Sequence, residues 1–294
     1  MTVTRIMAVA VAVRDVEAAL GLFRDQLGLP VLQDVVLEDQ GDQGVRAVFL
    51  DTGDGEIVLM QPRRDGTHLE RWLEERGESI HHVSFETDNI DADLAQAKVD
   101  GIKLIDETPR RGQQAGYAFI AFLRPESNYG ALVAFVQPSG PRPQGAPVPG
   151  GRPFRISGID HVGFAVRDIA AAEKHFRRAY HLPVYKELGA EKETGLISVS
   201  LSIGKGYLEI VTCQDPKDPI NYVRKVLDKD GESLIMVSLL VDDLDKAVAY
   251  LRGQGYEMTE PMLLDHKMVL GRPLSHIPRK QAFGVRLQLL QAKK

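Results

Sequence analysis

The chain has 294 residues, of which 44% are hydrophobic and 26% are charged, and its formal net charge at pH 7 is −5. This length predicts two domains at ~150 residues each, and the acidic balance without a basic stripe argues against nucleic-acid binding. The single cysteine, Cys213, excludes an intrachain disulfide framework and indicates a cytoplasmic protein. No run of ~18 apolar residues occurs, so no membrane span is expected.

The first 30 residues predict a strand followed by an amphipathic helix. The segment IMAVAVAV at 6–13 alternates like a strand. Asp15 stands where a helix N-cap is expected, and Gly28 stands where a C-terminal cap is expected. Four apolar residues share one helical face: Val16, Leu20, Phe23 and Leu27. Three strand-like runs follow, VLQDVVLED, VRAVFLD and EIVLMQP, which complete a strand–helix–strand–strand–strand unit.

The same unit returns three times along the chain. Related phrases begin with IHHVSFETDNIDADL at 80, IDHVGFAVRDIAAAE at 159 and LIMVSLLVDDLDKAV at 234. In the last copy, KMVLG at 267–271 and VRLQLLQ at 285–291 are the strand-like runs. Such repeats indicate units that bury a common core side by side. The prediction is an α+β fold of four βαβββ units, which form two cupped mixed β-sheets with helices on the outside.

A segment rich in proline and glycine divides the chain. Residues 138–153, PSGPRPQGAPVPGGRP, contain six prolines and four glycines, which is typical of a stiff, extended linker. We therefore expect an N-terminal domain at 1–137 and a C-terminal domain at 154–294, each with two of the four units.

The four-unit pattern resembles the vicinal oxygen chelate superfamily, which includes glyoxalase I, bleomycin-resistance and fosfomycin-resistance proteins and extradiol dioxygenases. The chain most resembles methylmalonyl-CoA epimerase, in tandem, through AVRDVEAALGLFRDQLGLPV, GESIHHVSFETDNIDADLAQAKVDGIKLIDETPRRG, FLRPESNYGALVAF and IDHVGFAVRDIAAAEKHFRRAYHLPVY. The resemblance implies glyoxalase-like domains, a small-molecule substrate and one divalent metal ion, with Fe, Mn, Zn, Co and Ni all compatible. It also allows a homodimer.

The resemblance places metal ligands on the first and last strands of each unit, where they face a cup. The eight equivalent positions are Ala8, Val58, His82, Ala134, His161, Glu209, Met236 and Gln288. Three of them have no donor atom, and the thioether of Met236 suits soft ions. The expected metal ligands are therefore His82, His161 and Glu209. Gln288 stays open as a further ligand, and no residue is assigned as the catalytic base.

Two pairings of the units are compatible with the sequence. Pairing in chain order leaves His82 alone in one cup and places His161, Glu209 and Gln288 in the other. Crosswise pairing, of the second unit with the third and the first with the fourth, brings His82, His161 and Glu209 into one cup. We expect the crosswise pairing because it collects the three best ligands.

Three functions follow from these residues. The first is a divalent-metal-dependent isomerase, epimerase or lyase that acts through a metal-stabilised enolate on a small oxygenated substrate. Alanine stands at position 134, where the epimerases carry an acid–base group. The second is a non-haem Fe(II) ring-cleaving dioxygenase with His82, His161 and Glu209 as its triad. The third is a metal-free small-molecule binding or resistance protein.

Overall fold

The computed structural model describes residues 3–39, 42–114, 116–191, 195–215, 221–262 and 272–293. The strands of the N-terminal half are β1 (Val3–Ala12), β2 (Val31–Asp39), β3 (Asp42–Asp51), β4 (Glu56–Pro62), β5 (Ser79–Thr87), β6 (Arg110–Arg111), β7 (Tyr117–Leu123) and β8 (Leu132–Pro138). Those of the C-terminal half are β9 (Ile156–Ala165), β10 (Val184–Glu191), β11 (Leu196–Ile203), β12 (Gly206–Cys213), β13 (Ser233–Val241), β14 (Leu274–Ile277) and β15 (Arg286–Gln291).

The helices follow the predicted order. They are α1 (Val16–Leu20), which continues as a π-helical stretch over Gly21–Gln26, α2 (His68–Arg76), α3 (Ile90–Val99), α4 (Ile169–Tyr180), α5 (Tyr222–Lys229) and α6 (Leu244–Gly253). None of the helices in these residues is long and apolar enough to cross a bilayer.

The predicted helix start at Asp15 is confirmed. Its side chain accepts hydrogen bonds from the backbone N–H groups of Glu17 and Ala18, which satisfies donors that the first turn leaves open. Gly28 adopts a φ of 78°, a conformation that glycine reaches without strain. The predicted apolar face is buried in the core: Val16, Leu20, Phe23 and Leu27.

The fold consists of two mixed sheets, in agreement with the prediction. The order of the first sheet is β2-β3-β4-β1-β5-β8-β7-β6, and that of the second is β10-β11-β12-β9-β13-β15-β14. The predicted strand at 267–271 lies outside the described residues.

The expected crosswise pairing is wrong. β1 pairs antiparallel with β5, and β9 pairs antiparallel with β13, so each sheet joins two units that are consecutive in the chain. Short connections favour this outcome, because sequential elements usually lie side by side. Only α2 and its flanking loops separate β4 from β5, and α5 holds the same place between β12 and β13.

The two sheets pack back to back through their outer faces and four of the helices. Buried residues of α1, α3, α4 and α6 belong to one core cluster with residues from both sheets. Tyr180 of α4 lies against Phe85 and Phe135, with ring centroids 5.8 and 6.0 Å away. The ring of Phe23, in the first unit, packs near that of Phe283, in the fourth, with ring centroids 6.4 Å apart. The crosswise association of units therefore exists between the outer faces and not within the sheets.

Two glycines mark the closest approach between the halves. Gly130 and Gly284 each have a φ of 73° and follow corresponding 3₁₀ turns. A Cβ atom at Gly130 would overlap the carbonyl oxygen of Glu232, and one at Gly284 would overlap that of Glu78. The two contacts are related by the repeat, so the halves meet through matching surfaces.

Candidate functional site

The concave faces of the two sheets, here the N-terminal cup and the C-terminal cup, differ in polarity at matching positions. One row of paired residues crosses the C-terminal cup: Tyr207, His161, Ser238, Gln288 and His276. The corresponding row in the N-terminal cup is Glu56, Ala8, Ser84, Ala134 and Phe122. The central positions that are polar in one cup are therefore mostly apolar in the other.

The C-terminal cup holds His161 between two carboxylates. Its Nδ1 lies 2.8 Å from Asp160 Oδ2, and its Nε2 lies 3.7 Å from Glu209 Oε2. A register shift between β9 and β13 leaves Asp160 as the extra residue of a bulge. The bulge explains how neighbouring residues of one strand contact each other in the same cup.

Burial and the neighbouring charges set the protonation of His161 and Asp160. Burial alone would lower the pKa of His161, but the hydrogen bond to Asp160 and the charge of Glu209 raise it above its ordinary value. Burial opposes ionisation of Asp160, and its bonds to His161 and Arg272 overcome this and lower its pKa. Arg272 Nη2 contacts Asp160 Oδ1 at 2.9 Å. Asp160 is thus held as a carboxylate that orients the imidazole.

Four polar atoms near this group have no hydrogen-bond partner among the described residues: Ser238 Oγ, Gln288 Oε1, His276 Nδ1 and Arg286 Nε. Burial, with Arg286 and His161 nearby, lowers the pKa of His276 well below its ordinary value, which keeps its imidazole neutral. Arg286 stacks 3.7 Å above the ring of Tyr222. Because buried polar groups are normally paired, this floor is suited to the polar atoms of a bound molecule.

The structure brings together two of the three predicted metal ligands. His161 and Glu209 lie in the C-terminal cup, whereas His82 lies on β5 in the other sheet. No three side chains of the His, Cys, Asp or Glu types converge into a metal site within the described ranges. The prediction that His82 shares a site with His161 and Glu209 is therefore wrong, since the sheets pair in chain order.

The remaining pair fits a divalent ion. Two donor atoms bound to one ion at ~2.1 Å lie at most ~4.2 Å apart, and the separation of His161 Nε2 from Glu209 Oε2 is within this limit. The unpartnered oxygen of Gln288 on the same floor is a third candidate donor. Met236, which pairs with Gly163, holds the fourth family position with a thioether.

Sequence patterns assigned no binding role to Asp160, Ser238, His276 or Arg272. Strict alternation places Asp160 on the face opposite His161, and only the bulge brings it to the cup. Ser238 and His276 lie in register with Gln288, the further candidate ligand, across β13, β15 and β14. That register becomes visible only when the strand pairing is known.

The N-terminal cup forms a partly open cavity of about 660 Å³. The side chains of Ala8 and Val58 line it and carry no metal donor. Both His81 and His82 also line it, because a register shift between β1 and β5 turns two neighbours inward. Their Nδ1 atoms are 2.9 Å apart. Burial lowers the pKa of His82 to about 4, so this pair is neutral at pH 7.

Glu56 lies at one end of this cup and is 2% exposed. Tyr117 Oη donates a hydrogen bond to Glu56 Oε2 at 2.9 Å, and Arg142 Nε lies 3.9 Å from Oε1. Burial raises the pKa of Glu56 to about 7, against the opposing effects of Tyr117 and Arg142.

This carboxyl group should make stability fall as the pH rises. The folded protein keeps the Glu56 proton up to about pH 7, whereas the unfolded chain releases it near its ordinary pKa of 4.5. The free energy of unfolding should therefore decrease between these values, by up to about 3 kcal/mol. Urea denaturation of the natural protein and Glu56→Gln from pH 4.5 to 8 measures the effect. We expect Glu56→Gln to be relatively more stable above pH 7, and a pH-independent difference would contradict the assignment.

Comparisons with known proteins find one superfamily and several similar epimerases. A family model described as the Glyoxalase/Bleomycin resistance protein/Dioxygenase superfamily matches residues 7–122 and 160–266. The ethylmalonyl-CoA/methylmalonyl-CoA epimerase of Cereibacter sphaeroides is 30% identical over 135 residues, which are 45% of this chain and 97% of that protein. The mitochondrial methylmalonyl-CoA epimerase of Mus musculus is 31% identical over 134 residues, which are 45% of this chain and 72% of that protein.

One solved structure matches nearly the whole chain. It is a mutant of 4-hydroxymandelate synthase from Streptomyces coelicolor, with a TM-score of 0.75 and 20% sequence identity. The match covers 99% of this chain and 93% of that chain. At this level of identity the match shows a common tandem fold.

Proposed function

The chain belongs to the glyoxalase/bleomycin resistance protein/dioxygenase superfamily, and from this premise we propose that its C-terminal cup is the active site of a divalent-metal-dependent isomerase, epimerase or lyase. Its substrate is a small molecule with two neighbouring oxygen atoms. The observation that carries the proposal is the arrangement of His161, with Asp160 on its Nδ1 and Glu209 near its Nε2. Histidines that ligate metals usually donate their other ring N–H to a carboxylate or carbonyl.

The ion would be held by His161 and Glu209, with Gln288 as a further donor. When bound, it supplies a Lewis acid that stabilises the negative charge developing on the substrate as a neighbouring proton leaves. Asp160 fixes the ring of His161 through its hydrogen bond, and Arg272 keeps Asp160 ionised. These contacts orient the site before a substrate arrives.

The other floor residues contribute substrate binding. Ser238 Oγ and the guanidinium of Arg286 are placed to bind polar atoms of the substrate, because neither Ser238 Oγ nor Arg286 Nε has a partner in the described structure. The neutral imidazole of His276 accepts a hydrogen bond from the amide of Gln288 at Nε2 over 3.4 Å, so its unpartnered Nδ1 carries the proton and can donate a hydrogen bond to a substrate oxygen. The neighbouring strands that carry these three residues hold them on a rigid sheet.

A non-haem Fe(II) dioxygenase is the second candidate, supported by the tandem architecture alone. That chemistry normally uses two histidines and one carboxylate. The C-terminal cup offers His161 and Glu209, and Met236 stands at the next family position. The donor set therefore favours proton chemistry over oxygen chemistry. The metal-free binding function applies best to the N-terminal cup.

A proton-exchange assay tests the proposal. The protein, loaded with Mn²⁺, Co²⁺, Zn²⁺, Ni²⁺ or Fe²⁺, is incubated in D₂O with methylmalonyl-CoA, the substrate in the relatives' names. Proton NMR follows loss of the signal next to the carbonyl. We expect exchange that requires the metal and is lost in Glu209→Ala. Exchange that persists after chelation would contradict metal dependence, and oxygen uptake with catechols and Fe²⁺ would favour the second candidate.

A further inference from the structure

The N-terminal cup is built for a ligand of a different kind from that of the C-terminal cup. We propose that it is a second, metal-free site that binds a flat aromatic carboxylate. This inference does not depend on the metal chemistry proposed for the C-terminal cup, since the two cups lie in separate sheets.

The size and wall of the cavity indicate an aromatic ligand. Its volume of about 660 Å³ is within the range of 300–1,000 Å³ usual for small-molecule sites. Five aromatic side chains line it besides the neighbouring histidines of β5: Phe49, His68, Trp72, Tyr117 and Phe122. Aromatic walls favour planar rings because offset and edge-to-face contacts add to the burial of apolar surface. Aliphatic residues complete the lining, among them Val45 and Met60.

The two histidines inside the cavity are neutral. Burial lowers the pKa values of both His81 and His82, so neither imidazole carries a charge at pH 7. Their Nδ1 atoms are close enough to share one hydrogen bond. His81 is 7% exposed, and its Nε2 has no partner among the described residues. A polar atom of a ligand would satisfy this nitrogen.

Charged residues of the lining favour an anion. Arg110, Arg111 and Arg124 line the cavity together with two carboxylates, Asp106 and Glu126, which leaves one net positive charge. Arg110 lies 5.4 Å from the ring centre of Phe122 and contacts Asp106 at 2.9 Å. An aromatic carboxylate would place its ring among the aromatic side chains and its acid group near this guanidinium. Arginine is well suited to this role because its planar group binds carboxylates with two parallel hydrogen bonds.

The experiment uses a matched pair of probes on the full-length, chelator-treated protein. Biphenyl-4-carboxylate and the neutral biphenyl-4-methanol are titrated by isothermal calorimetry. Trp72 is the single tryptophan of the chain and lines the cavity, so its emission reports whether a probe enters this cup. We expect the carboxylate to bind about tenfold more tightly than the alcohol, with a change in tryptophan emission.

Three variants locate the binding. Val58→Phe places a ring on the wall of the cavity and should weaken binding of both probes. Arg110→Gln replaces an exposed side chain. It should remove the preference for the carboxylate and leave the affinity for the alcohol unchanged. Glu209→Gln, at the position of the C-terminal cup that corresponds to Val58, should change neither affinity. Equal binding of the two probes, binding without a change in tryptophan emission, or full binding by folded Val58→Phe would overturn the proposal.

Discussion

Substitution of His161 by alanine is expected to weaken the binding of Mn²⁺ to the full-length chain by at least about a hundredfold. The imidazole supplies one of two strong donors in the C-terminal cup, and its Nε2 lies 3.7 Å from Glu209 Oε2. Asp160→Asn should produce a smaller loss, of about tenfold to a hundredfold, because it leaves the donor in place but weakens its orientation. Isothermal calorimetry on folded protein measures both effects.

His82→Ala is the matched control for this prediction. His82 holds a family ligand position, but it lies on β5 and faces the other cup. Its removal should leave the Mn²⁺ affinity unchanged. Equal losses in His82→Ala and His161→Ala would contradict the chain-order pairing of the units. An unchanged affinity in His161→Ala would place the metal elsewhere.

Gly284→Ala is expected to lower the free energy of unfolding by more than about 3 kcal/mol. The new Cβ would overlap the carbonyl oxygen of Glu78 in the other half of the chain, and neither backbone can yield without separating packed surfaces. The positive φ of 73° adds strain that any side chain would feel. Urea denaturation, followed by far-ultraviolet circular dichroism, measures the change.

Gly231→Ala separates the cost of the overlap with Glu78 from the cost of the positive φ. Gly231 has nearly the same φ, 74°, but no atom lies within 4 Å of its expected Cβ. Only the backbone term, about 1–2 kcal/mol, should appear there. If the two substitutions cost the same, the contact between Gly284 and Glu78 is not tight, and the close packing of the halves would be in doubt.

The sequence was sufficient to predict the units but not their association. Local signals, such as the cap at Asp15 and the apolar spacing that follows it, depend on residues within a few positions of one another. Which strand lies beside β1 depends on hydrogen bonds between strands with nearly identical patterns. The crosswise pairing was expected because it gathers the ligands, and this expectation was wrong. Proximity along the chain favours the observed pairing of consecutive units.

The candidate site was only partly predictable for a related reason. His161 and Glu209 occupy positions fixed by the alternation of single strands, so their side of the sheet could be inferred. Asp160 could not, because one extra residue in β9 changes the face that it occupies. His276 and Ser238 can be assigned to the site only when the register of β13, β15 and β14 is known.

The alternation along β1 has a consequence for how a duplicated sequence diverges. Val9 and Val11 belong to the core that joins the two halves, whereas Ala8 and Ala10 belong to a separate cluster in the N-terminal cup. Neighbouring residues of β1 therefore face different surroundings: one packs in the shared core, and the next lines the ligand cup. A repeat copy can exchange a donor for a methyl group without disturbing the shared core. Chemistry can therefore be lost from one copy and kept in the other while the architecture stays common to both.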